Sequence, residues 1–240
     1  MTGGRRDAAR ADAAARAVLV ETPVHGRVLM RDAPAPAGVL VGFHGYAEDA
    51  EAAMDRLAGI PGAGRWTLVA IQGLNRFYRG RSSETVAGWM TRQDREQAIA
   101  DNIEYVNRVL ARVPFANGAT GPFSNGPYAG DPVVFAGFSQ GVAMAFRAAV
   151  RGAVPAAGII AVGGDVPPEL LEGPDTRFPP TLLIRGARDD WYTQEKFDAD
   201  VAALAARGAA LTSLVLDAGH EWTPEVAAAT GKFLQRLYGA

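Results

Sequence analysis

Pro132-Val133-Val134-Phe135-Ala136-Gly137-Phe138-Ser139-Gln140-Gly141-Val142 decides how this chain is read. An apolar run, Pro132 to Ala136, enters a Gly-x-Ser-x-Gly corner, and the helix-like stretch Val142 to Val150 leaves it. A turn this sharp strains the serine backbone, and the two glycines let strand and helix approach closely. The five letters alone are weak evidence. A strand before them and a helix after them make Ser139 a candidate nucleophile.

Outward from this corner, strand-length apolar runs recur at Val18 to Thr22, Arg27 to Arg31, Val39 to Phe43, Thr67 to Ile71, Val133 to Ala136, Gly158 to Val162, Thr181 to Arg185 and Thr212 to Leu216. The last six are almost continuously apolar, as strands covered on both faces should be. Helical patterns alternate with them at Asp49 to Ala58, Asp94 to Arg112, Val142 to Val150, Gln194 to Arg207 and Pro224 to Tyr238. This alternation predicts an α/β fold: a mostly parallel central sheet of about eight strands with helices on both faces. The first two runs are joined by Pro23-Val24-His25-Gly26, too short for a crossover, so they are expected to pair antiparallel at one edge.

Two long connections stand out. Residues 114 to 131, rich in Gly, Pro and Asn, read as an irregular loop running from a helix into a strand, at the sheet edge remote from chemistry. Residues 72 to 93 leave a strand at its carboxyl end, where ligands bind in open parallel sheets. That second loop is the expected pocket wall.

The 240 residues, 48% hydrophobic and 21% charged, suit one large core, so residues 1–240 are read as a single domain with a polar Ala/Arg segment at 1–17. A net charge of −2 gives no electrostatic footprint for nucleic acid. With no cysteine, a thiolate nucleophile and cysteine-ligated metals are excluded. No paired histidines stand at ligand spacing, so neither a metal nor a cofactor is expected. The N-terminal residues carry no continuous apolar core of a leader, and no stretch approaches the ~20 apolar residues of a membrane span. A cytoplasmic protein acting on a small molecule is the default expectation, and a homodimer is not readable either way.

A serine hydroxyl needs a general base, usually a histidine oriented by a carboxylate. Of three histidines, His25 falls in the edge turn and reads as a surface residue, and His44 follows an early strand as a loop-shaping residue. His220, in Leu216-Asp217-Ala218-Gly219-His220, follows a late strand and can return over the serine. The carboxylate is expected between them in sequence. Arg185-Gly186-Ala187-Arg188-Asp189-Asp190 supplies two aspartates, and Asp189 is preferred because Asp190 can cap the helix near Thr193 or face solvent. Acyl chemistry also needs donors for a developing oxyanion. The N–H of Gln140 follows the nucleophile, and His44-Gly45-Tyr46 follows an upstream strand, with the Tyr46 N–H as the second expected donor.

With these segments in order, the chain resembles the α/β-hydrolase superfamily and, within it, the compact phospholipase/carboxylesterase group that includes acyl-protein thioesterases. The resemblance rests on His44-Gly45-Tyr46, Gly137-Phe138-Ser139-Gln140-Gly141, Gly186-Ala187-Arg188-Asp189 and Gly219-His220. It implies Ser139, Asp189 and His220 as a catalytic triad, the Tyr46 and Gln140 backbones as an oxyanion hole, and hydrolysis of carboxylic esters through an acyl-enzyme. About 17 residues separate the Gly158 to Val162 strand from the next, too few for a helical cap, so no large cap domain is expected. Val142, Tyr46 and residues 114 to 131 depart from better-known members.

For the substrate pocket the sequence offers His44, Phe77, Tyr78, Trp89, Trp191 and Trp222, aromatic walls suited to an acyl chain or aryl ester. Arg76, Arg79, Arg81 and Arg92 read as a solvated face or as partners for a substrate anion. Thioester or peptide cleavage on the same machinery, and a non-catalytic binding role on the same fold, stay open at this stage.

Overall fold

The computed structural model describes residues 16–113, 131–173 and 176–238. The expected segment 1–17 and loop 114 to 131 therefore lie almost wholly outside the described residues. Among those described, strands β1 (Val28–Arg31), β2 (Val39–Phe43), β3 (Thr67–Ile71), β6 (Val133–Phe138), β7 (Ala156–Val162), β8 (Thr181–Gly186) and β9 (Leu211–Leu216) form one sheet. Its order is β1-β3-β2-β6-β7-β8-β9. All neighbours are parallel except β1, which runs antiparallel to β3. β4 (Asn75–Tyr78) and β5 (Thr85–Gly88) make a separate antiparallel ribbon.

Strand residues alternate between two cores, as a period of two demands. Val39, Val41, Phe43, Val69, Ile71 and Phe135 pack on one face with helices α2 (Arg95–Leu110), α3 (Gln140–Arg151) and α5 (Gln194–Ala206). Leu40, Leu68, Val134, Ile160, Leu182 and Ile184 pack on the other with α1 (Ala50–Ala58) and α6 (Pro224–Tyr238). Helix α1 begins where a cap is available: the Asp49 side chain accepts the Ala52 N–H at 2.9 Å.

Two expectations change. Val18 to Thr22 forms no strand; Val18, Leu19 and Val20 are exposed, and β1 pairs with β3 instead. Strand preference is a preference for a pleated surface to pack on, and no neighbouring strand offers this run one. The sheet therefore has seven strands. The 72 to 93 connection, read as plain loop, contains the β4–β5 ribbon. Among the described residues between β7 and β8, the one helix is the four-residue α4 (Pro168–Leu171). Among the described residues no helix is long and apolar enough to cross a membrane.

Candidate active site

Ser139 stands between β6 and α3 with φ +52° and ψ −122°, a region that side-chain-bearing residues rarely adopt. Its N–H donates to Val162 O at 2.9 Å, so β7 holds the corner. The flanking glycines are required sterically. A Cβ on Gly137 would lie 2.4 Å from Gly141 O, and one on Gly141 would lie 2.2 Å from Phe43 O, where α3 crosses the end of β2.

His220, in the turn between β9 and α6, reaches Ser139 Oγ with Nε2 at 2.8 Å and Asp189 Oδ2 with Nδ1 at 2.8 Å. These bonds suit an imidazole protonated on Nδ1, leaving the Nε2 lone pair for the serine proton. Asp189 is buried at the end of β8, and its Oδ1 accepts the N–H groups of Trp191 and Tyr192, each at 2.9 Å. Asp190 is exposed, and Thr193 rather than Asp190 occupies the N-cap of α5.

Neither the Gln140 N–H nor the Tyr46 N–H donates to an acceptor among the described residues. The segments that carry them are clamped. The Gln140 side chain accepts the Trp89 N–H at 2.9 Å and donates to Met90 O at 3.1 Å, stapling α3 to the end of the ribbon connection. Ala47, at φ +58°, donates to Ala87 O, and the Ala87 N–H returns to Glu48 O at 2.7 Å. Glu48 accepts the Gly45 N–H at 2.7 Å and two bonds from Arg56 at 2.6 Å. Burial raises the Glu48 pKa, but the Arg56 bonds outweigh it and hold the carboxyl below its ordinary value. Arg56 lies 4.2 Å over the Phe138 ring, tying the 44 to 46 turn to the serine corner. No motif marks Glu48 or Arg56, because their bonds to each other, to the Gly45 N–H and to the Phe138 ring join separate segments.

His44 is fully buried, with Nδ1 on Gly45 O at 2.6 Å and Nε2 accepting the Gly73 N–H at 2.9 Å. Burial pushes its pKa down, so it stays neutral and shapes the loop. His25 is exposed.

A cavity of about 350 Å³ opens beside Ser139 and His220. Its walls are Met90, the α3 face, the strap Gly163 to Pro168, and Trp191, Tyr192 and Lys196. Of the six expected pocket residues only Trp191 lines it. Trp89 is buried, donating Nε1 to His44 O at 2.9 Å; Phe77 stacks on Tyr46; Tyr78 points to solvent; and Trp222 packs with the α6-side core. Trp89, Phe77 and Trp222 hold loops, because a large apolar side chain near a strand end is buried wherever a neighbour can cover it. Of residues 72 to 93, only Met90 reaches the cavity, while Arg76 and Arg79 bond to His25 O and Ala47 O elsewhere. Among the described residues no group of three or more His, Asp or Glu could hold a metal ion.

Behind the strap, Asp200 Oδ2 accepts both the Tyr192 O–H at 2.8 Å and the Val166 N–H at 3.0 Å. Burial pushes its carboxyl up to about 6. A carboxyl raised above its unfolded value favours the fold while protonated; that contribution is complete below the unfolded pKa of about 3.9 and lost as pH rises through 6. Asparagine offers one oxygen to the same two donors without the charge. Asp200→Asn should therefore gain stability relative to the parent between pH 4 and 7, by up to roughly 3 kcal/mol. Denaturant unfolding across that range measures it, and parallel pH profiles would reject the linkage.

A mostly parallel sheet with helices on both faces and a serine at the strand-to-helix corner defines an α/β-hydrolase fold. Residues 85–197 match the model of the Phospholipase/Carboxylesterase family. Three solved structures share the fold: an esterase, PE8, at 23% identity with TM-score 0.65, covering 89% of this chain and 100% of its own; acyl-protein thioesterase 2 of Zea mays at 17% and 0.65, covering 90% and 100%; and a carboxylesterase of Bacillus cereus at 12% and 0.67, covering 89% and 95%. No curated protein matches the chain by sequence. The solved structures show the α/β-hydrolase fold, and just under half of the chain is similar to the Phospholipase/Carboxylesterase family.

Proposed function

We propose that this chain is a serine hydrolase that cleaves carboxylic esters of small molecules through an acyl-enzyme. Ser139 Oγ attacks the ester carbonyl while His220 Nε2 takes its proton, and Asp189 remains ionised to stabilise the imidazolium. The N–H groups of Gln140 and Tyr46 hold the oxyanion, each such donor contributing about 3 kcal/mol or more to the transition state. Collapse breaks the ester C–O bond, and His220 returns the proton to the departing alcohol. Water, with His220 again as base, then releases the acid and frees Ser139.

The observation that carries this reading is the unbroken relay from Ser139 Oγ through both nitrogens of His220 to a buried Asp189, with both steps at 2.8 Å. Two of the structural neighbours are an esterase and an acyl-protein thioesterase, which agrees with acyl transfer to water. A fluorophosphonate probe tests it: the folded protein should be labelled at Ser139 and should hydrolyse p-nitrophenyl esters, with a thioester assayed beside them. Absence of both the adduct and turnover would leave a non-catalytic binding protein.

A further inference from the structure

Helix α3 lines the cavity with Gln140, Ala143 and Arg147, residues three and four apart and therefore on one face. At about 1.5 Å per residue, Arg147 sits roughly 12 Å along the axis from Ser139, and its side chain leans back toward the helix start. Arg147 is only 1% exposed, although it borders the cavity that holds the nucleophile. Its Nε donates to Glu169 Oε1 at 2.7 Å and its Nη2 lies 2.7 Å from the same oxygen. Its Nη1 has only the Met90 thioether, at 3.4 Å, and sulfur is a weak acceptor. The Nη1 side thus meets no oxygen acceptor among the described residues.

The local charge is unbalanced in the same direction. Arg95 also lines the cavity and shares Glu169 with Arg147, its Nη2 lying 3.6 Å from Oε2. One carboxylate serves two guanidinium groups. Lys196 and Asp165, 3.5 Å apart, add a balanced pair at the cavity wall. Burial lowers the Arg147 pKa, the Glu169 bond opposes this, and Arg95 and Arg151 lower it further. A substrate anion relieves that repulsion.

We propose that the cavity takes a short ester bearing a free carboxylate, held by Arg147 and Arg95 while the ester carbonyl meets Ser139. This rests on the serine-esterase reading and narrows its substrate class. The carboxylate can stand on the acyl side, as in a half-ester of a dicarboxylic acid, or on the leaving side, as in an acyl ester of a hydroxy acid. A cavity of about 350 Å³ suits molecules of that size. Arg147 spent wholly on Glu169 would instead give no preference for charge.

The test is a pH-stat assay of two pairs, each matching a carboxylate with an isosteric isopropyl group: ethyl hydrogen adipate against ethyl 6-methylheptanoate, and 4-acetoxybutanoate against 4-methylpentyl acetate. At least one charged ester should exceed its neutral partner in kcat/KM by about tenfold, as expected for charge-assisted bonds to a buried guanidinium. Arg147→Met should erase that ratio. Because this substitution strands Glu169 and can compromise folding, Arg95→Gln and the parent protein at rising ionic strength provide separate readouts. Both should lower the ratio, chiefly through KM. Hydrolysis of the neutral esters with no preference for either charged partner overturns the inference alone, as does a preference unaffected by either substitution and by salt. Failure to hydrolyse any of the four sinks the esterase reading beneath it.

Discussion

Ser139→Ala should abolish ester turnover, with kcat falling by a factor on the order of 10⁶, while the protein melts within a few degrees of the parent. The separation of activity from stability follows from the geometry. The serine side chain contacts His220 Nε2, whereas the corner is held by backbone: the residue 139 N–H on Val162 O and the glycine contacts on either side. Alanine keeps those bonds and meets the same positive φ that serine already tolerates. Loss of one part-buried hydroxyl hydrogen bond costs about 1 kcal/mol. Fluorophosphonate labelling should disappear in parallel with turnover. Substantial residual hydrolysis in a folded variant would mean that another group attacks the ester.

The second large effect separates neighbouring aspartates. Asp189→Asn should lower kcat/KM by about 10⁴, whereas Asp190→Asn should change it by less than about twofold. Asparagine at 189 can still accept the Trp191 and Tyr192 N–H groups through one oxygen, so the β8 turn should persist. Its amide, however, presents N–H toward His220 Nδ1. The imidazole then moves its proton to Nε2, and no lone pair faces Ser139. Asp190 is exposed and contacts none of these groups. Equal losses from both substitutions would remove Asp189 from its assigned place.

Most of the fold is legible in sequence because its signals are local. β2, β3 and α6 fall at their expected bounds, since apolar runs of strand length and one amphipathic helix need no distant information. Val18 to Thr22 misleads for the complementary reason. A strand also needs an edge to join, and Val28–Arg31 takes the edge of β3. The β4–β5 ribbon hides among charged and glycine residues because its stability comes from clasping the 44 to 48 turn.

Ser139, Asp189 and His220 are readable as candidates because each follows its strand by a few residues, so parallel strands deliver all three to the same end of the sheet. The pocket is not readable in this way. Met90, Arg147, Pro167 and Trp191 come from four distant segments, and no local pattern says which aromatic ring is covered and which lines space. Arg147 left one faint signal, a single charge inside the apolar run Val142 to Val150.

The sequence by itself therefore determined the layered fold, the serine corner and the order of acid and base, all properties of short segments and their succession. Only the tertiary structure decided which aspartate is buried against His220, which rings face the cavity, and that two arginines share one glutamate there. Burial and charge balance depend on segments approaching from far along the chain, and that approach exists only once the sheet is assembled.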